Sequence, residues 1–207
     1  MKETILKKST DMFLTLGFKS VTMDDIAAEL GISKKTIYQH YANKNDLVED
    51  SAMMMFEKIC TGIDQISETS VNSVEEVFAI HNFLMIHLKG ENTAPLYQLK
   101  KFYPVTFANL MAKQFETMHS SVIVNLEKGI KDGIFRDNID VDFVSRIYFS
   151  GATSIRDHEI FPKDVITVHS ATRYFIDYHM RAIVTFYGLG ILEEALAKNF
   201  GENLTLN

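Results

Sequence analysis

Cysteine is almost missing from this chain of 207 residues: Cys60 stands alone, so no disulfide can form within it, and its apolar neighbourhood suits a reduced, buried thiol in a cytoplasmic protein. Long uncharged runs are missing as well. The longest of interest, Ala182 to Leu192, is too short to span a bilayer, and the first residues carry Lys2, Glu3, Lys7 and Lys8 in a helical pattern rather than a signal peptide. No glycine-rich phosphate loop, nucleophile elbow or zinc-protease motif occurs, so no enzymatic chemistry is expected. The seven histidines lie without metal-ligand spacing backed by cysteines or carboxylates, so neither a metal nor a cofactor is expected. Two-residue alternation never runs long enough for a sheet, and there is no repeat or low-complexity tract. What remains, 46% hydrophobic and 23% charged, is material for one large or two small helical cores.

The net charge of −6 argues at first against a nucleic-acid partner, because non-specific DNA affinity comes from neutralising phosphates with Lys and Arg. Its distribution argues the other way. Residues 1 to 48 hold seven lysines (2, 7, 8, 19, 34, 35, 44) against six acids (3, 11, 24, 25, 29, 46), and between residues 30 and 45 there are three lysines and no acid. A basic face on an acidic body orients a molecule on DNA.

That face coincides with a motif. Thr22 offers an N-cap hydroxyl, with Asp24 and Asp25 at the positive helix end, and Ile26, Ala27 and Leu30 share one buried face. Gly31 supplies a left-handed stop, Ile32 anchors the turn, and Ser33 caps a second helix. Two helices across so short a glycine turn make a helix-turn-helix, whose second helix enters the major groove N-terminus first. Here that helix presents Lys34, Lys35 and Thr36, and Lys35 is placed to donate to guanine O6 and N7.

Around the motif, residues 3 to 16 read as an amphipathic helix with Ile5, Met12, Phe13 and Leu16 inward, ended by Gly17. Asn43 and Asp46 cap a helix running to about Gly62, and Ser67 to Ser73 reads as a connector. Helices follow over Val74 to Lys89 with a stop at Gly90, from Pro95 to a break at Pro104, over Val105 to Lys131 with Gly133 as terminator, and over Val141 to about Arg156. From Val168 to Tyr187 apolar residues cover nearly the whole circumference of one continuous helix, with Arg173, Asp177 and Arg181 as a narrow charged stripe. One face suits the domain core and the other, with Phe175, Tyr178, Ala182 and Phe186, suits a homodimer interface shared with the preceding helix. A two-fold dimer places two recognition helices on successive major grooves.

Thr22, the Ile26-Ala27 pair, Gly31, Ser33, Thr36, Tyr38, His40, Tyr41 and Lys44, in this order, resemble the N-terminal domain of TetR-family transcriptional regulators over residues 3 to 60. The Phe102-Tyr103-Pro104 element, Gly129 to Asp140, and Arg181 to Gly188 are similar to weaker C-terminal patterns of that family. The resemblance implies an all-α protein with a three-helix DNA-binding domain over residues 1–46 and an effector-binding and dimerisation bundle over 47–207. It implies DNA-backbone contacts from Thr22, Tyr38, Gln39, His40 and Lys44, with Gln39 in reach of a base edge. The position of Lys35 is often small in that family, so a long side chain here shifts which base is read; Met23 has no donor for the base contact some relatives make there. Tyr41 reads as a core aromatic that seats the motif.

The resemblance also implies an effector pocket among the middle helices, for which His87, Phe102, Phe107 and Tyr148 are the candidates. The expected function is a cytoplasmic, dimeric, ligand-responsive repressor on a palindromic operator, its partners being double-stranded DNA, a small-molecule effector and a second copy of the chain. A helical-bundle enzyme or lipid-binding protein, or an interaction scaffold, is the alternative.

Overall fold

A computed structural model describes residues 1–88 and 94–201. Within them the chain forms ten helices: α1 (Lys2–Leu16), α2 (Met23–Leu30), α3 (Lys34–Tyr38), α4 (Lys44–Thr69), α5 (Ser73–His87), α6 (Ala94–Phe102), α7 (Pro104–Lys131), α8 (Val141–Ser154), α9 (Val168–Ile183) and α10 (Phe186–Phe200). Among the described residues there is no strand, only an isolated bridge between Phe135 and Val184. The all-α expectation holds. Gly90 lies outside the described residues.

The chain divides into two units, residues 1–61 with 87–114, and residues 62–86 with 115–207. The first gathers Ile5, Phe13, Val21, Ile26, Ile37, Tyr41, Leu47, Val48 and Leu99 into one core, in which the Phe13 and Phe18 rings stack at 5.1 Å. Leu16, expected inward, is 58% exposed. Burial on α1 follows instead the i, i+4, i+8 line of Ile5, Ser9 and Phe13, and the neighbouring Thr10 hydroxyl is satisfied by the Leu6 carbonyl at 2.8 Å.

The second unit packs Val74, Phe78, Leu126, Phe135, Ile176, Met180, Ile183, Leu192 and Leu196 together. Two sequence expectations change here. Gly62 does not end α4, which runs on to Thr69; a Cβ at Gly62 would fall 2.1 Å from the Phe83 ring, so this glycine makes room for a tertiary contact that outweighs its poor helix propensity. The connector shrinks to residues 70–72, and Asn72 caps α5 by accepting from the backbone of Val74 and Glu75.

The continuous helix expected over 168–187 is also two helices. Val184 adopts an extended conformation, ψ 151°, and Thr185 starts α10 as N-cap by accepting from the Gly188 N–H at 3.0 Å. The broken backbone is satisfied by the strip that follows α7: Arg136 N–H donates to Ile183, and Thr185 N–H donates to Ile134, both at 2.9 Å. Gly133, at φ +70°, turns the chain into that strip.

Candidate nucleic-acid interface

The entry into α2 is a capping box. Thr22 Oγ1 accepts from Asp25 N–H at 3.2 Å, and Asp25 Oδ2 accepts from Thr22 N–H at 2.8 Å and from Thr22 Oγ1 at 2.8 Å. The backbone hydrogen bond from Thr22, then its hydroxyl, and more weakly the charge of Lys44, hold the Asp25 carboxyl below its ordinary range. Asp25 is therefore a fixed anion in the frame of the motif.

Gly31 closes α2 at φ +64°, ψ +30°, with its N–H on the Ala27 and Ala28 carbonyls. A Cβ there would meet nothing within 4 Å, so conformation and not space demands glycine. Ser33 then accepts from Thr36 N–H at 3.1 Å and opens α3, five residues long. Ile37 and Tyr41 are buried in the first core, as expected of Tyr41, and they fix which side of α3 faces outward.

The outward side carries Lys34, Lys35, Tyr38, Gln39 and His40, all exposed, with Thr36 half-buried. The residues differ in what holds them. Lys34 Nζ lies 2.8 Å from Asp24 Oδ2, a contact that raises its pKa. The Thr36 hydroxyl shares a hydrogen bond with Ser33 Oγ at 2.9 Å. Lys35 makes no ion pair among the described residues and projects a full charge at the start of α3. Lys44 is turned inward: Nζ donates to Phe18 O at 2.6 Å and sits over the rings of Phe13, at 5.7 Å, and Tyr103, at 5.8 Å. Burial, then the nearby Lys19 charge, lowers its pKa. Nothing in the spacing of the sequence signals this orientation, because it depends on the loop between α1 and α2.

The other sequence candidates are distributed as follows. His87, Phe102 and Phe107 belong to the first unit and Tyr148 to the second. Phe107 packs against the first core, and Phe102 is 42% exposed with Lys19 and Lys101 against its ring. Tyr148 lies against Phe175 at 5.5 Å and His179 at 5.0 Å, and burial raises its pKa to about 12. A groove of about 440 Å³ in the second unit, lined by residues including Phe135, Arg136, Asn138 and Thr185, contains none of the four.

On α9, Tyr178 is 77% exposed and Ala182 is exposed, whereas Phe175 is half-buried over Gly151. Phe186, 95% exposed, has moved to α10 through the break at Val184. Phe143 and Ile147 on α8 and Tyr174 on α9, which the sequence reading did not single out, are exposed in the same unit.

Comparison with known proteins places this geometry. Residues 5–50 match the model of the bacterial regulatory proteins of the tetR family. The chain is 25% identical over 154 residues to the HTH-type transcriptional repressor KstR2 of Mycolicibacterium smegmatis, covering 70% of this chain and 72% of that one. It is 28% identical over 200 residues to the uncharacterized HTH-type transcriptional regulator YvaF of Bacillus subtilis, covering 94% and 98%. Among solved structures, a transcriptional regulator from Cytophaga hutchinsonii superposes with a TM-score of 0.72 at 16% identity, over 88% of this chain and 98% of that one. The ketosteroid transcriptional regulator KstR2 of Mycobacterium tuberculosis gives 0.59 at 20% identity, over 89% and 95%. With a tetR-type helix-turn-helix over residues 5–50, an all-helical remainder and transcriptional regulators among the proteins it resembles, this chain is a TetR-like DNA-binding transcriptional regulator.

Proposed function

We propose that the protein is a cytoplasmic homodimeric repressor that binds a palindromic operator and releases it when a small organic molecule occupies its helical body. The observation that carries the DNA side is the outward face of α3, capped by Ser33 and seated by Ile37, with Lys35 at its start making no ion pair among the described residues. Lys35 and Gln39 read bases in the major groove; Thr22, Thr36, Tyr38 and His40 position the backbone. Lys34 adds charge from its tether to Asp24, and Lys44 braces the loop before α2 from its inward position. In this reading residues 1–46 form the DNA-binding domain and residues 47–207 the effector and dimer domain.

The exposed apolar residues of α8 and α9, Phe143, Ile147, Tyr174 and Tyr178, support self-association, since water-facing rings at this density suit a partner surface. The small-molecule side is supported by relatives: one solved structure with a TM-score of 0.66 at 16% identity is named a gamma-butyrolactone receptor. A ligand that prefers one dimer conformation shifts the population toward it and changes the spacing of the two α3 helices.

Selection of bound sequences from a random duplex pool tests the reading. An inverted repeat with half-sites about 34–36 Å apart, or a multiple, is the expected product. Absence of any enriched sequence at low salt removes the operator reading.

A further inference from the structure

Five lysines of the first unit are held in two different ways. Lys2, Lys8 and Lys34 each meet a carboxylate, Asp50 at 3.4 Å, Glu29 at 2.5 Å and Asp24 at 2.8 Å. Lys19 and Lys101 meet a ring instead. Their ammonium groups stand 5.0 Å and 5.7 Å from the centroid of the same Phe102 side chain, and Lys101 also donates to the Tyr97 hydroxyl at 3.2 Å. An aromatic face attracts a cation through its quadrupole but carries no net charge. Both are exposed, and neither has a carboxylate partner among the described residues.

Tertiary contacts brace the loop that carries Lys19. Gln98 on α6 accepts from Lys19 N–H at 2.6 Å, and its side-chain amide fills the space over Gly17, which fastens the loop between α1 and α2 onto α6. Lys44 reaches the same loop from beneath, on the Phe18 and Lys19 carbonyls. Lys19 and Lys101 are thereby kept within about 11 Å of one another, on the scale of the Debye length in physiological salt, so their fields add. Two like charges at this range, with no counter-charge among the described residues, suit a polyanion.

The loop that carries Lys19 leads in three residues to Thr22, the N-cap of the first helix of the motif. We propose that Lys19 and Lys101, braced on Phe102, form a second phosphate-gripping ridge that holds the DNA backbone beside the bases read by α3. It makes α6, which lies outside the helix-turn-helix, part of the DNA interface. The inference rests on the DNA-binding reading above.

The salt dependence of binding to random-sequence duplexes of about 40 base pairs tests it, comparing the full chain with K19Q, K101Q, the double variant and the charge-keeping K19R/K101R, each checked for native circular dichroism. The slope of log K against log salt should fall by about 0.9 for each lysine replaced by Gln and return in the Arg variant. If the unmodified chain binds and the double Gln variant keeps the full slope, the ridge is wrong while the DNA reading stands. If the unmodified chain binds no duplex at low salt, both are wrong.

Discussion

Lys44 is the residue for which resemblance and structure make opposite forecasts. The resemblance gives its ammonium to a DNA phosphate; the structure gives it to Phe18 O at 2.6 Å and the Lys19 carbonyl at 3.4 Å, over the rings of Phe13 and Tyr103. Replacing it with Met keeps the aliphatic stem against those rings and deletes only the charged donor. A hydrogen bond from a charged donor contributes about 1.5–3 kcal/mol, and removing the donor leaves the half-buried Phe18 carbonyl to find water. K44M should therefore destabilise the first unit by about 2 kcal/mol, roughly thirtyfold in its opening equilibrium. Because the chain has two units, amide hydrogen exchange at the buried Ile26 and Ile37 is a better reading than a single melting curve. The salt slope of DNA binding should stay as it was. Unchanged exchange together with a slope reduced by about 0.9 would refute the inward assignment and restore the phosphate contact.

Three other outcomes are expected. Lys35→Ala, which removes no partner among the described residues, should leave stability within about 0.5 kcal/mol yet cost roughly 1–3 kcal/mol on the selected operator and relax one base position per half-site; competition against random duplex measures this, and equal losses on both DNAs would show that Lys35 reads no base. Gly188→Ala places a Cβ 2.1 Å from the Ile134 carbonyl and should cost about 1–3 kcal/mol, while Gly190→Ala, with nothing within 4 Å, should gain up to about 1 kcal/mol in the same urea titration. Finally, burial lowers the pKa of His81, assisted by the charges of His169 and Arg156, and of His179, each to about 4. Both are neutral when folded at neutral pH, whereas the unfolded chain takes up protons below about 6.5, so the second unit should lose stability as pH falls from about 6.5 to about 4 and level off below. His179→Phe should remove part of that slope in urea midpoints taken across this range; an unaltered slope would mean that His179 is already charged in the fold.

How much of this was legible beforehand depends on the range of the interaction. Thr22, Gly31 and Ser33 act within four residues, and each adopts the capping or left-handed role that its chemistry suggests. Pro104 likewise opens a helix after a break at Tyr103, as its missing donor requires. At Gly62 the local meaning of a helix stop is overridden by Phe83, a partner distant in sequence. The turn at Val184 was hidden for the same reason: an apolar run through residue 187 reads as helix until Ile134 and Arg136 are known to take its backbone hydrogen bonds.

The sequence by itself determined the helix-turn-helix, the all-helical class and the outward face of α3, because capping, left-handed glycine and 3.6-residue periodicity are local properties of the chain. Only the tertiary structure decided which cations on that face are available. Asp24 takes Lys34, the α1–α2 loop takes Lys44, and Phe102 holds Lys19 and Lys101 without neutralising them. A side chain's charge is written in the sequence, but its counter-charge is chosen by whatever folding brings within a few ångströms.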